Sequence, residues 1–300
     1  MRPTPRVVFL GNHTVGVRAM KVLARKARLA GVVAHPEDPE DGVRYESVHA
    51  AALKVGVPCI RATGSSEELA RFVDDAQPDL IWITDYRYLL PCSVLELAKS
   101  GTINLHPSLL PKYRGRAPIN WAILNGESEL GLTAHWVDAG MDTGDIIMQR
   151  KFILEQCQDV GDALQLLYPI YENLTEYVID GFKNETLSQI KQNEAEASVF
   201  PRRKPEDGLI DWHRPARDVW NLVRAVAQPY PGAFAPWQGG VLKVHRISGI
   251  TQFPQGEPPK PGTPAEGNDG INSMHIACLD AFVNISNYTF ETHTEQANQE

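Results

Sequence analysis

The sequence holds few cysteines, no long apolar run and no excess of basic residues, and each of these features excludes a class of protein. Its four cysteines lie far apart without a CxxC pair, which argues against a disulfide framework or a zinc site and favours a reduced, cytoplasmic protein. No apolar run is long enough to span a bilayer, and a strand pattern begins within a few residues of the N-terminus. We therefore predict neither a membrane span nor a signal peptide.

The net charge and the absence of several known motifs argue against further classes of partner and activity. A net charge of -8 gives no general attraction to a phosphate polymer, so a nucleic acid is a disfavoured partner. The glycines between 11 and 16 do not form a G-x-G-x-x-G fingerprint, no G-x-S-x-G elbow is present, and the histidines show no metal-ligand spacing. Dinucleotide binding, serine hydrolysis and a metal site are therefore not predicted.

Short apolar segments alternate with helical patterns in the first part of the chain. The segments 6–11, 31–34, 57–60 and 79–84 are typical of strands. Because they are apolar on both faces and alternate with helices, they predict a mostly parallel sheet covered on both sides, which is a Rossmann-like α/β fold.

The composition changes after residue 183, which predicts a division of the chain. Residues 184–205 are rich in Asn, Glu, Gln and Lys and are predicted to form a linker. The remainder, 206–300, combines one helical pattern with short strands and Pro-Gly-rich loops, which favours a small β domain. The predicted catalytic domain is then 1–183.

Asn104 and His106 lie two residues apart at the end of a predicted buried strand. Side chains of a strand alternate, so both point to the same face. An amide that can donate to an oxyanion and a base near neutral pKa are what acyl transfer needs. Asp142, in the segment 138–145, supplies a carboxylate to complete the set, although alone it would also suit a turn or a helix cap.

The two motifs together resemble the folate-dependent formyltransferases. N-x-H-x-S-L-L-P stands at 104–111 and D-x-G-x-D-x-G-D at 138–145. The resemblance implies 10-formyltetrahydrofolate as co-substrate, no metal, and a C-terminal OB-like domain. It implies that Asn104 stabilises the oxyanion, that His106 takes a proton from the attacking amine, and that Asp142 orients the imidazole, with no Ser or Cys nucleophile.

The resemblance implies two further groups of residues. The co-substrate is predicted to contact Tyr86, Arg87, Tyr88, Leu89, Leu90, Asp138, Gly140 and Met141. The acceptor is predicted to contact His13, Ser108, Arg114 and Arg116. Guanidinium groups suit phosphates, although salt bridges or contacts with backbone carbonyls would explain the two arginines as well, and the Leu-Leu-Pro turn would explain Ser108.

The predicted acceptor is the amine of a nucleotide-linked amino sugar, because 108–121 resembles the amino-sugar enzymes of the family. A methionyl-tRNA acceptor is disfavoured, since the acidic stretch 37–41 stands where the tRNA enzymes carry a basic insertion. Hydroxyornithine is the first alternative acceptor, and methionyl-tRNA is the second. Pro107 stands where the amino-sugar relative has glycine, and the segment 138–145 is closer to the tRNA and hydroxyornithine enzymes, so the particular sugar stays open. A ligand-binding module without turnover is the alternative outside the enzymes, and the sequence is compatible with a homo-oligomer.

Overall fold

The computed structural model describes residues 3–36, 45–64, 66–265 and 273–292. The acidic stretch 37–41, which disfavours a tRNA acceptor, lies outside the described residues. Within those ranges no helix combines the length and the apolar character needed to cross a bilayer.

Strands and helices alternate along the first part of the chain, and strands dominate its last part. The strands are β1 (Arg6–Gly11), β2 (Arg28–Ala34), β3 (Cys59–Arg61), β4 (Leu80–Thr84), β5 (Thr102–His106), β6 (Arg114–Gly115), β7 (Glu129–Trp136), β8 (Ile146–Ile153), β9 (Val199–Phe200), β10 (Ala233–Trp237), β11 (Gly240–Gln252), β12 (Met274–Ala277) and β13 (Ala281–Thr292). The α-helices are α1 (His13–Lys26), α2 (Val48–Lys54), α3 (Glu67–Ala76), α4 (Cys92–Leu95), α5 (Pro118–Leu124), α6 (Val160–Asn184) and α7 (Ala216–Ala225).

A seven-stranded sheet forms the first unit, with the strand order β3-β2-β1-β4-β5-β7-β8. The strands from β3 to β5 run parallel, and β7 pairs antiparallel with β5. Val7, Phe9, Leu80 and Trp82 are fully buried, as expected for central strands that are covered on both faces. The predicted mostly parallel α/β sheet is confirmed, and β5 delivers the first motif at its carboxyl end.

A four-stranded antiparallel sheet forms the core of the second unit, in the order β10-β11-β13-β12. Apolar side chains of α7 pack against this sheet, among them Trp220 and Val223, together with Leu242 and Val283 from the strands. The prediction of a small C-terminal β domain is therefore confirmed.

The boundaries of the two units differ from the predicted division. The first unit contains 1–115, 130–152 and 164–200, and the second contains 116–129, 153–163 and 201–300. Most of the predicted linker belongs to the first unit because it is hydrogen-bonded there. Ile190 exchanges two backbone hydrogen bonds with Ile146, of 2.8 and 2.9 Å, and β9 pairs with β6. Polar composition does not distinguish such a segment from a solvated linker.

Candidate active site

Three polar side chains are brought together where β5 and β7 pair. Asn104 and His106 lie on β5, and the strand register places His135 of β7 directly opposite Asn104. His106 and His135 are 5% and 1% exposed. A cluster of polar groups this well buried must satisfy its hydrogen bonds internally, so its contacts define the chemistry of the site.

Asp142 lies in the loop between β7 and β8 and completes the cluster. The Gly115 amide donates a hydrogen bond of 2.9 Å to Asp142 Oδ2. The residue is held in the left-handed region at φ 55°. The loop also approaches β7 so closely at Gly144 that a Cβ there would collide with the carbonyl oxygen of Trp136. The second motif therefore needs a glycine at 144 to place the carboxylate.

Each ring nitrogen of His106 faces a different oxygen atom, and one of these contacts is a hydrogen bond. Its Nε2 lies 2.8 Å from the Tyr113 carbonyl oxygen, and its Nδ1 lies 3.6 Å from Asp142 Oδ2. A carbonyl oxygen only accepts, so Nε2 carries the hydrogen and Nδ1 is the basic nitrogen of the neutral ring. The structure thus aims the free lone pair of His106 toward the side occupied by Asp142.

The pKa values of His106 and Asp142 are both lowered, which leaves the first side chain neutral and the second ionised at neutral pH. Burial lowers the pKa of His106 below its ordinary value of 6.5, against the raising effects of Asp142 and the Tyr113 carbonyl. Burial would raise the pKa of Asp142, but His106, His135 and the Gly115 amide together hold it well below its usual range. The site therefore presents a neutral imidazole beside an ionised carboxylate, which suits a general base.

Asn104 has both amide hydrogens engaged. Its Nδ2 lies 3.1 Å from His135 Nε2 and 3.3 Å from Asp142 Oδ1. An oxyanion would therefore have to replace one of these two acceptors, and the oxyanion role of Asn104 stays a prediction. His135 was missing from the predicted site. The one signal in the sequence is a histidine inside the apolar strand 130–137, and only the strand register identifies its partner.

The predicted acceptor residues of the 108–116 segment have other contacts in this structure. Arg114 donates four hydrogen bonds of 2.6–3.1 Å to Gln192 and Glu194, so its guanidinium pins the loop. Ser108 Oγ donates to the Lys112 carbonyl at 2.8 Å, within the turn. Arg116 belongs to the second unit. Their contacts with an acceptor stay predictions, and a phosphate at Arg114 would compete with Glu194.

His13 lies among polar and aromatic groups at the ends of β1 and β4. Its Nδ1 is 2.6 Å from Asp85 Oδ2, its Nε2 is 3.4 Å from Arg87 Nη2, and its ring lies 3.7 Å from that of Tyr45. The structure thus joins one predicted acceptor residue, His13, to one predicted co-substrate residue, Arg87.

The remaining predicted co-substrate residues lie in the loop after β4 and in the second motif. The Tyr86 hydroxyl donates to the Ala62 carbonyl at 2.8 Å, and the rings of Tyr86 and Tyr88 are 5.7 Å apart. Leu89 and Met141 are 75% and 44% exposed, so their apolar surface is open to a ligand. Leu90 packs against the core around Val94. Asp138 Oδ1 accepts hydrogen bonds from the Gly140 amide and the Thr143 hydroxyl.

The contacts of the co-substrate with these seven residues and with Arg87 stay predictions. Among the described residues, no group of three or more His, Cys, Asp or Glu side chains could hold a metal ion.

Gln192 holds the loop that carries Asp142, although composition predicts a linker for the segment around Gln192. Its Nε2 donates to the carbonyl oxygens of Asp142 and Gly144, each at 2.8 Å, and its Oε1 accepts from Arg114. Gln192→Leu leaves these groups without their partner, so the free energy of unfolding should fall by about 1–3 kcal/mol. Urea denaturation measures this loss. Gln252→Leu, the same change at an exposed position, is the control, and an equal loss in both variants would contradict the role of Gln192.

Three solved structures of formyltransferases are similar to this chain. An N-formyltransferase from Helicobacter canadensis, in complex with folinic acid and dTDP-3-aminofucose, is 21% identical, with a TM-score of 0.70 over 94% of this chain and 99% of that chain. WlaRD, a sugar 3N-formyl transferase with dTDP and 5-N-formyl-THF, is 20% identical, with a TM-score of 0.72 over 95% of this chain and 98% of that chain. A methionyl-tRNA formyltransferase from Clostridium thermocellum is 20% identical, with a TM-score of 0.57 over 81% of this chain and 92% of that chain.

These likenesses show the fold, and the family follows from the sequence match. Residues 6–165, more than half of the chain, match the formyl transferase family, and residues 202–299 match the formyl transferase C-terminal domain. As the two motifs predicted, the chain belongs to the formyl transferase family.

Proposed function

We propose that this protein transfers a formyl group from 10-formyltetrahydrofolate to the amine of a nucleotide-linked amino sugar. The observation that carries the reaction is the placement of His106, a buried imidazole with Nδ1 3.6 Å from Asp142 Oδ2 and Nε2 bonded to the Tyr113 carbonyl. Burial also lowers the pKa of this ring. The choice of co-substrate and acceptor is supported by two similar sugar enzymes, which match this chain over nearly their whole length and were solved with a folate and with dTDP or a dTDP-sugar.

The chain's own groups account for the proton transfers of this reaction. The amine adds to the formyl carbon and forms a tetrahedral intermediate whose oxygen is negative. His106 Nδ1 accepts the proton that the amine sheds, and the imidazolium then lies between the Asp142 carboxylate and the Tyr113 carbonyl, both of which stabilise it. Collapse of the intermediate breaks the bond between the formyl carbon and the folate nitrogen. That nitrogen takes up the proton held by the His106 imidazolium and leaves as part of tetrahydrofolate, which returns His106 to its neutral form.

The position of His13 and Arg87 supports a phosphorylated acceptor. They form a row with Asp85 directly after β1 and β4, and ligands of open α/β sheets bind beyond the carboxyl ends of the strands. Arg87 is predicted above to contact the co-substrate, but its guanidinium group lies beside His13 and also suits a phosphate oxygen. His13 could then contact the phosphate or the sugar, as the resemblance implied.

Mass spectrometry of reaction mixtures tests the proposal. Purified protein with 10-formyltetrahydrofolate is offered a panel of UDP- and dTDP-linked amino sugars, with hydroxyornithine and charged initiator tRNA alongside. We expect one or more nucleotide sugars to gain a formyl group, and the product to disappear with His106→Gln. Formylation of hydroxyornithine or tRNA alone would overturn the acceptor, and transfer to none of the panel would overturn the proposal as stated.

A further inference from the structure

His135 is the buried titratable group of the site that the proposed reaction does not use. Its Nδ1 lies 2.7 Å from the carbonyl oxygen of Trp136. Because that oxygen only accepts, Nδ1 carries the hydrogen and Nε2 of the neutral ring is an acceptor. The nitrogen of Asn104 lies 3.1 Å from this Nε2. The amide therefore donates to an imidazole whose tautomer is fixed by the Trp136 carbonyl.

We propose that His135 is a positioning residue, which holds the Asn104 amide by one hydrogen so that the other is available to the oxyanion of formyl transfer. The proposal rests on the proposed function. The geometry behind it is a triangle of Asn104 Nδ2, His135 Nε2 and Asp142 Oδ1, with sides of 3.1, 3.3 and 3.6 Å. One corner of this triangle is a donor, and the other two are acceptors.

This arrangement allows only one orientation of the Asn104 amide. A flipped amide would place its oxygen against an imidazole lone pair and a carboxylate oxygen, which brings three acceptors together. The cost of such unsatisfied, buried polar groups is about 1–3 kcal/mol for each group. His135 and Asp142 therefore keep the nitrogen of Asn104 pointed toward the catalytic carboxylate.

The two hydrogen bonds of Asn104 have different consequences. The bond to His135 is the shorter one and joins two strands that are fixed by their register. The bond to Asp142, at 3.3 Å, is longer and leads to a loop residue. When negative charge develops on the formyl oxygen, that oxygen takes the place of Asp142 Oδ1 as acceptor of the second hydrogen, while His135 retains the first. Phenylalanine at 135 would fill the same space but would remove the nearer of the two acceptors that hold the amide.

Two variants of His135 separate this role from simple packing. His135→Phe keeps a planar ring without an acceptor, and His135→Gln keeps an acceptor oxygen near the position of Nε2. On the nucleotide sugar that the wild type formylates, we expect His135→Phe to lower kcat by about 10- to 100-fold with KM within threefold, since small misplacement of a catalytic group has effects of this size. His135→Gln should recover most of the loss, and His213→Phe, at a side chain 73% exposed, should change nothing.

A double-mutant cycle shows whether His135 acts through Asn104. If it does, His135→Phe has no further effect on kcat once Asn104→Leu is present, because the group it positions is gone. An undiminished effect in the Asn104→Leu background would overturn the proposal, as would a kcat of His135→Phe within twofold of the wild type.

Nitrogen NMR of the wild-type protein tests the same inference without substrate and without a variant. We expect His135 to show a protonated Nδ1 and an unprotonated Nε2, with a scalar coupling from the Asn104 amide across the hydrogen bond. A hydrogen on Nε2, or an Asn104 amide without this coupling, would overturn the proposal even if formyl transfer is confirmed. The NMR result stands if no nucleotide sugar is formylated, so failure of the proposed function is recognised separately.

Discussion

Replacing His106 by glutamine should lower kcat for formyl transfer by about 10²–10⁴-fold, the usual contribution of a general base. Glutamine is chosen because its amide can still donate to the Tyr113 carbonyl, which His106 Nε2 contacts at 2.8 Å. It has no basic nitrogen to face Asp142. The substitution therefore removes proton acceptance while it keeps a hydrogen bond that holds the loop before β6.

The wild-type pH profile should carry the signature of the same residue. Burial holds the pKa of His106 below 6.5, so the ring stays unprotonated and active as the pH falls through 6.5. The acid limb of kcat should thus lie below pH 6.5, the ordinary pKa of the side chain. The pH profile of kcat reports groups of the enzyme–substrate complex, whereas that of kcat/KM also follows the titration of the free amine.

Single-turnover formyl transfer, measured from pH 5 to 8, gives both results, with the pH range chosen around the ordinary pKa of about 6.5. The control is His213→Gln, at an exposed histidine paired with Asp211, which should behave as wild type. Activity of His106→Gln within a few-fold of wild type, or an acid limb above pH 6.5, would assign the base to another group.

The parts of the structure that depend on local patterns could be predicted from the sequence. The strands Arg6–Gly11 and Leu80–Thr84 follow from short apolar segments between helical patterns, and their burial on both faces implies a parallel sheet. The common face of Asn104 and His106 follows from strand alternation alone. Their link to Asp142 came from the paired motifs, and the structure brings His106 Nδ1 to 3.6 Å from Asp142 Oδ2.

The parts that depend on distant partners could not be predicted. His135 matters because of the register between two antiparallel strands, and no sequence pattern fixes which residue it faces. Arg114 has a pattern that suits phosphate, yet its partners Gln192 and Glu194 lie 78 and 80 residues away. The polar segment that holds them resembles a linker in composition. In each case the side-chain chemistry was evident, whereas the partner was set by the tertiary fold.

Asp142→Asn should lower kcat by a similar factor, about 10²–10⁴-fold, as expected when the carboxylate that stabilises a catalytic imidazolium is lost. Asparagine is the suitable replacement because Asp142 has φ 55°, a conformation that asparagine tolerates better than most residues. The new amide would direct its oxygen to the Gly115 N–H, which donates to Oδ2 in the wild type. Its NH2 group would then meet the Asn104 nitrogen and compete for His135 Nε2.

Asp142→Asn should also change the pKa of His106 in a known direction. This change distinguishes the effect of the charge of Asp142 from the effect of its side-chain geometry. The carboxylate raises the pKa of His106 against the larger effect of burial. Without that charge the pKa of His106 should fall further, and the acid limb of kcat should move to lower pH while the plateau drops. Asp142→Glu restores the charge but not the geometry. The acid limb of kcat should therefore return toward its wild-type pH, while the maximal kcat should recover little. An unmoved limb in Asp142→Asn would mean that the carboxylate orients His106 without stabilising its charged form.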